Sequence, residues 1–313
     1  MINRSKLILV VVGIIAAALI IGHPYRRGRN VYERQEPIIG NPADCAGTRL
    51  AVIGDFGEAG QPEADVAALV TSWDVDAVLT LGDNNYFYGE ARTIDANIGQ
   101  YYHAFIAPYH GNYGPGADVN RIYPALGNHD WNTGSIQAYL DYFMLPGNER
   151  YYDVQLGPVQ VFVLDSDVHE PDGRTADSIQ AQWLQTHMSS SPSTWKLALL
   201  HHAPFSSGKH GNDVEMQWPF TDWGATAVLA GHDHTYERIH RDGILYFVNG
   251  LGGQRRIYTF GKPVPGSTVR YNQDYGAMLI SANETCLNFS FYNRTNELID
   301  SHTIDNPHYP GLE

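Results

Sequence analysis

Asp76-Ala77-Val78-Leu79-Thr80-Leu81-Gly82-Asp83-Asn84-Asn85-Tyr86 is an apolar run that stops at a glycine and gives way at once to ligand-type side chains. A short apolar run bounded in this way reads as a buried strand. The pattern recurs four times, once without the glycine. Thr48-Arg49-Leu50-Ala51-Val52-Ile53 ends at Gly54-Asp55, and Ile122-Tyr123-Pro124-Ala125-Leu126 ends at Gly127-Asn128-His129-Asp130. A strand over 195–200 runs into His201-His202, and one over 225–230 runs into Gly231-His232-Asp233-His234. Singly, each block reads as a turn or a buried histidine. In open α/β sheets, however, ligands bind beyond the carboxyl ends of strands. Five strand ends carrying such residues therefore point to one site. His232 and His234, two apart in an extended chain, face the same side and suit two adjacent metal ions.

Around these blocks strands alternate with helices. Pro62 opens a helix through Ala64, Val66, Ala67, Leu69 and Val70, proline being suited to a first turn. Further helices are predicted near 94–106 and over 178–188, a hairpin over 151–165 turning at Gly157-Pro158, and a strand over 244–248. Residues 277–303 show no helical pattern and read as strands with turns at Asn283-Glu284 and Asn293-Arg294. This is an α/β chain with largely parallel strands covered on both faces, plus a second sheet or an antiparallel extension. Its 313 residues, 43% hydrophobic, allow a sizeable core.

The formal net charge is -14. Residues 1–34 hold six of the 20 basic residues and one acid, so the remainder carries 14 bases against 33 acids. Such a surface repels nucleic acid and other polyanions. A small phosphate ester stays admissible, because a pair of metal cations would dominate the local field. Leu7–Gly22 is an uncharged stretch of 16 residues behind Arg4 and Lys6, apolar all round. That excludes a core helix and leaves an export signal or an anchor. No small-x-small cleavage site follows, and Arg26, Arg27 and Arg29 are close by, so it reads as an uncleaved or slowly cleaved anchor. The Pro-, Gly- and Arg-rich chain beyond it reads as a linker. The boundaries are then 1–30 for a signal or membrane-anchor segment and 31–44 for the linker. Cys45 and Cys286 are either two unrelated buried residues or a bridge contributing about 4–5 kcal/mol in the chain-entropy model; export would favour the bridge.

The ordered set Asp-x-Gly, Gly-Asp-x-x-Tyr, Gly-Asn-His-Asp, x-x-x-His and Gly-His-x-His resembles the calcineurin-like metallophosphoesterases. Tyr86 and the run Gly231-His232-Asp233-His234-Thr235-Tyr236-Glu237-Arg238 resemble the purple acid phosphatases, the small tartrate-resistant type in particular. The similarity covers about residues 48–303. It implies a β-sandwich of two mixed sheets flanked by helices (αββα), with a catalytic domain over 45–305 and a tail over 306–313. One departure is Ala198 in Ala198-Leu199-Leu200-His201, where the family usually has valine; an aliphatic exchange leaves the ligand in place.

The resemblance also implies roles. Asp55, Tyr86 and His234 would bind a first metal, Asn128, His201 and His232 a second, and Asp83 would bridge both. Tyr86, a hard phenolate, implies Fe(III) at the first site; the second metal would be Fe, Zn or Mn. Metal-activated hydroxide would attack phosphorus in a phosphate monoester, with His129 or His210 protonating the leaving oxygen. Asp130 is expected to orient His129, and His202 to be structural. The expected protein is an exported acid phosphatase, periplasmic or extracellular, monomeric, and tethered by residues 7–22. Two alternatives are a phosphodiesterase or nucleotide pyrophosphatase on the same metal core and a non-catalytic, membrane-tethered binding protein.

Overall fold

Ala77–Thr80 does form a buried strand, the middle one of three parallel neighbours. The computed structural model describes residues 31–34 and 45–306. In chain order the strands are β1 (Tyr32–Arg34), β2 (Thr48–Ile53), β3 (Ala77–Thr80), β4 (Ile122–Pro124), β5 (Tyr152–Leu156), β6 (Val159–Val163) and β7 (Trp195–Leu199). They continue as β8 (Ala227–Ala230), β9 (Tyr236–Arg241), β10 (Ile244–Asn249), β11 (Ser267–Tyr271), β12 (Gly276–Ala282), β13 (Cys286–Asn293) and β14 (Leu298–Asp305). One sheet has the order β1-β11-β9-β10-β8-β7-β6-β5 and the other β14-β13-β12-β2-β3-β4. Parallel pairing is confined to β2-β3-β4 and to β6-β7-β8-β10. The expected parallel core is thus split between two sheets, each extended by antiparallel strands.

The layering follows from alternation along the strands. Val161, Val163, Leu197, Leu199 and Leu229 join the core between the sheets with Leu50, Val52 and Leu79. Phe162, Ala198, Leu200 and Val228 instead meet Leu184 and Met188 of helix Ile179–Ser190. With both faces covered, these strands read as continuous apolar runs. Ser178 caps that helix, its hydroxyl accepting from the Ala181 N–H at 3.1 Å. Helix Gln61–Ser72 buries Val66, Ala67, Leu69 and Val70 in the same core as β2 and β3. The architecture is the αββα sandwich.

Several expectations are corrected. The helix near 94–106 is a series of short turns from Ala91 to Phe105, with a π turn over Asp95–Gly99. There the Asp95 carboxylate accepts from the hydroxyls of Tyr109 and Tyr142 at 2.6 and 2.9 Å. Within the stretch expected to be a linker, Tyr32–Arg34 pairs antiparallel with β11 at a sheet edge. Strands β9 and β11 were not expected. Cys45 and Cys286 form a disulfide. Among the described residues no helix is long and apolar enough to cross a membrane; Leu7–Gly22 lies outside them.

Helix Gln61–Ser72 also encloses an acid. Glu63 is fully buried, and neither carboxylate oxygen has a hydrogen-bond partner among the described residues. Burial, then the nearby Glu58 charge, raises its pKa well above 4.5. The folded state therefore keeps a proton that the unfolded chain releases as pH rises through about 4.5, so stability falls with rising pH from there. Glu63→Gln is expected to raise stability at pH 7 by about 1–3 kcal/mol. Below about pH 4 it should make no difference, which denaturant titrations at the two pH values would test.

Candidate metal centre

The carboxyl ends of β2, β3 and β4 in one sheet meet those of β7 and β8 in the other. Main-chain groups stitch the two together: Gly252 N donates to the Gly54 carbonyl at 2.9 Å, and His201 Nδ1 lies 2.7 Å from the Leu81 carbonyl. Asp55, Asp83 and His232 all have positive φ, at 54°, 55° and 70°. Such angles are uncommon outside glycine and gather where function requires them. Gly82 has φ 86°, and a Cβ there would stand 2.6 Å from Nδ1 of His201. Glycine before Asp83 is what admits the His201 ring.

All seven candidate ligands fall into one connected cluster. The Tyr86 hydroxyl is 3.2 Å from Asp55 Oδ1, 2.8 Å from Asp83 Oδ2 and 3.2 Å from His234 Nε2. His234 Nε2 is in turn 3.3 Å from Asp55 Oδ1. On the other side, His201 Nε2 is 3.4 Å from Asp83 Oδ1, 3.2 Å from Asn128 Oδ1 and 3.2 Å from His232 Nδ1. Asp83 stands between the two halves.

The chemistry of this set fits metal ions. His201 Nδ1 and His234 Nδ1 are committed to backbone carbonyls, at 2.7 and 2.6 Å. That leaves each Nε2 lone pair facing carboxylate oxygen. Lone pairs so opposed need positive charge between them. Burial disfavours a charged His201, yet the Asp83 carboxylate outweighs burial and raises it to about 10. Burial would likewise raise Asp83, but His201 holds it below the usual carboxylate range. Tyr86 is raised by burial and then by Asp83 and Asp55; a cation beside the phenol would reverse that direction. His232 is lowered, first by burial and then by His201. Its neutral ring is the form that ligates metal.

The flanking groups differ in part from expectation. His129 packs on Tyr86, ring centroids 4.3 Å apart, with Nδ1 2.7 Å from the Phe87 carbonyl and Nε2 3.9 Å from Asp83 Oδ2. Asp130 does not orient it. The Asp130 carboxylate accepts instead from Gly127 N at 2.9 Å and from Asn84 N and Nδ2 at 3.2 and 2.9 Å, tying the second block to the third. Its pKa is pushed to about 6 by burial and the Asp83 charge. His210 covers His232 at 4.1 Å, its pKa lowered by burial. His202 bonds the Ser166 hydroxyl at 2.9 Å and stands within ligating reach of His201 and His232. Asp233, sequence neighbour of two candidate ligands, receives N–H of His210 at 2.8 Å and the Ser206 hydroxyl at 2.6 Å. Tyr258 stacks on His234 at 4.1 Å and 7°. A lone tyrosine in a loop carried no signal in the sequence.

The αββα sandwich with this set at its strand ends defines a metal-dependent phosphoric ester hydrolase. The chain belongs to the calcineurin-like phosphoesterase family, whose model matches residues 48–236. It is 25% identical over 248 residues to purple acid phosphatase 17 of Arabidopsis thaliana, across 68% of this chain and 71% of that one. With human tartrate-resistant acid phosphatase type 5 the identity is 24% over 246 residues, across 65% and 72%. Among solved structures, purple acid phosphatase PPD1 from yellow lupin (Lupinus luteus) seeds is similar at TM-score 0.67 and 17% identity. That likeness covers 82% of this chain and 53% of the lupin chain, so this chain spans about half the lupin protein. GAP50, the anchor in the inner membrane complex of Plasmodium, is similar at TM-score 0.65 and 14% identity, across 84% and 90%.

Proposed function

We propose that the protein is a dinuclear-metal phosphatase that hydrolyses phosphate monoesters at acidic pH. The observation that carries this reading is Asp83, with Oδ2 2.8 Å from the Tyr86 hydroxyl and Oδ1 3.4 Å from His201 Nε2. In this reading Asp55, Tyr86 and His234 hold one metal, Asn128, His201 and His232 hold the second, and Asp83 is shared. Tyr86 favours Fe(III) at the first position, and the Asn128 side accepts Fe, Zn or Mn. When bound, the metals supply Lewis acidity and a hydroxide nucleophile below neutral pH. The chain's own part lies in the flanks. The Phe87 carbonyl takes the Nδ1 proton of His129, so in the imidazolium form it is the Nε2 proton that would pass to the leaving oxygen. His210, over His232, covers the opposite flank and is the second candidate for that proton.

Turnover of p-nitrophenyl phosphate against bis(p-nitrophenyl) phosphate tests the reading. A strong diester preference would replace it with the phosphodiesterase or nucleotide pyrophosphatase alternative. Metal analysis with a visible spectrum tests the iron. Tyr86→Phe is expected to abolish the phenolate charge-transfer band and to lower turnover at least about tenfold; a colourless, iron-free parent protein would overturn the ferric assignment. The disulfide supports an oxidising compartment. The catalytic domain over 45–305 would then be an exported monomer, periplasmic or extracellular, carried behind an anchor within 1–30. A non-catalytic tethered protein is the second reading. It is favoured by the likeness to GAP50, a membrane-complex anchor, and by apolar Leu7–Gly22; the complete ligand set speaks against it.

A further inference from the structure

We propose that Lys209 and Arg256 form an anion-recognition rim beside the metal centre that selects substrates with a second phosphate next to the scissile one. The proposal rests on the phosphatase reading above. Its starting point is where uncompensated positive charge sits. Beyond residue 34 the chain has 33 acids for 14 bases, so a carboxylate partner is available to almost any cation. The basic residues there are accordingly paired, either with carboxylates, as Arg92, Arg150, Arg174 and Arg255 are, or with backbone carbonyls, as Arg49, Arg121 and Lys196 are. Among the described residues Lys209, Arg256 and Lys262 have neither an ion pair nor a side-chain hydrogen bond.

These three lie on two loops that are latched together at the site. Gly261 N donates to the Ser207 carbonyl at 2.7 Å, Val264 N to the Ser207 hydroxyl at 2.9 Å, and Tyr258 N to the His234 carbonyl at 3.0 Å. The Lys209 ammonium sits 4.5 Å from the centroid of Tyr258, whose ring also stacks on His234 at 4.1 Å and lies 5.5 Å from His210. One aromatic ring therefore separates a held cation from a candidate metal ligand. The main-chain carbonyl of Arg256 lies 2.6 Å from His234 Nδ1, so its side chain starts at the rim. It lines a cavity of about 550 Å³ with Tyr86, Phe87, His129, His234 and Tyr258. The acid lining that cavity, Glu58, is already paired with Arg255.

Two cations without a carboxylate partner, beside a cluster that would hold metal cations, would repel it and each other unless an anion lay between. A guanidinium fork and an ammonium suit phosphate oxygens. If the candidate ligands hold metals and these take the scissile phosphate, a neighbouring phosphate would be the anion offered to this rim. In diphosphate hydrolysis the water oxygen bonds to the scissile phosphorus, the bridging P–O bond breaks, and its electron pair leaves with the second phosphate. That leaving group is a far weaker base than an alkoxide, so stabilisation by fixed cations takes over from proton donation.

The test uses the metal-loaded full chain with inorganic pyrophosphate and p-nitrophenyl phosphate. Lys209→Gln and Arg256→Gln are each expected to lower kcat/KM for pyrophosphate about tenfold while lowering that for p-nitrophenyl phosphate less than about threefold. Raising salt from about 0.05 to 0.5 M should narrow the ratio of the two substrates in the parent protein and not in the double variant. Equal losses on both substrates, or none on pyrophosphate, would overturn the rim while leaving the phosphatase intact. If the parent hydrolyses neither substrate, the phosphatase reading fails and the rim with it.

Discussion

Asp83→Asn is expected to give a folded protein that retains at most one metal ion per chain and loses more than about 100-fold in turnover. Loss of an outer partner of a metal ligand already costs about 10–100-fold, and in the proposed assignment Asp83 is itself a ligand. Its carboxylate reaches side chains of both halves of the cluster, through Oδ2 to Tyr86 and Oδ1 to His201. An amide keeps one carbonyl oxygen but replaces the other with N–H donors and removes the negative charge. It can serve one half only. The fold should survive, because asparagine accepts the φ of 55° at this position. Its carbonyl can also keep the 2.8 Å bond from the His129 N–H that ties the third block to the second. Elemental analysis and p-nitrophenyl phosphate turnover on the same sample check both arms. Two metals and full activity in the variant would remove Asp83 from the bridging position.

The parts of this site legible in the sequence are those encoded locally. In four of the five blocks an apolar strand, a glycine and a candidate ligand are consecutive residues, and the glycine has a local reason to be there, as Gly82 shows beside His201. The rest is encoded between distant segments. Strand β9 reads Tyr-Glu-Arg-Ile-His-Arg, which no apolar or alternating pattern marks as a strand buried on both sides. It is one because Arg238 meets Asp300 at 2.8 Å and Glu237 accepts from Ser207 N at 2.7 Å. Each charged group is met by a partner on another segment, a carboxylate for Arg238 and hydrogen-bond donors for Glu237. Asp130 departs from expectation for the same reason. Its neighbour in sequence is His129, but its partners are Gly127 and Asn84, and a carboxylate's target cannot be read from adjacency. The division of the parallel strands into two sheets follows from the family resemblance and not from any pattern within the strands. β3 and β7 are alike in composition, and only pairing places them in different layers.

Replacing both Cys45 and Cys286 with serine is expected to lower unfolding stability by about 5 kcal/mol and the midpoint temperature by about 10–20 °C, with kcat unchanged below the transition. The bond spans 241 residues of sequence, nearly the whole catalytic domain, so it restricts almost the entire unfolded chain. In the folded protein it does little that the sheet does not already do. Cys286 opens β13, and Cys45 precedes β2 by a short turn. Both strands are bound to β12, where Ala282 faces Thr48 on one side and Leu287 on the other. Those ladders fix the ends near each other once folding is complete, so the metal centre should not register the loss. Five kcal/mol is nevertheless comparable to the whole stability of an ordinary domain. The bridge therefore decides where the protein persists rather than what it catalyses. Denaturation of the parent protein with and without reductant, beside the double variant, checks the claim: reduced parent and variant should coincide, and a variant as stable as the oxidised parent would show that the bond contributes nothing to stability.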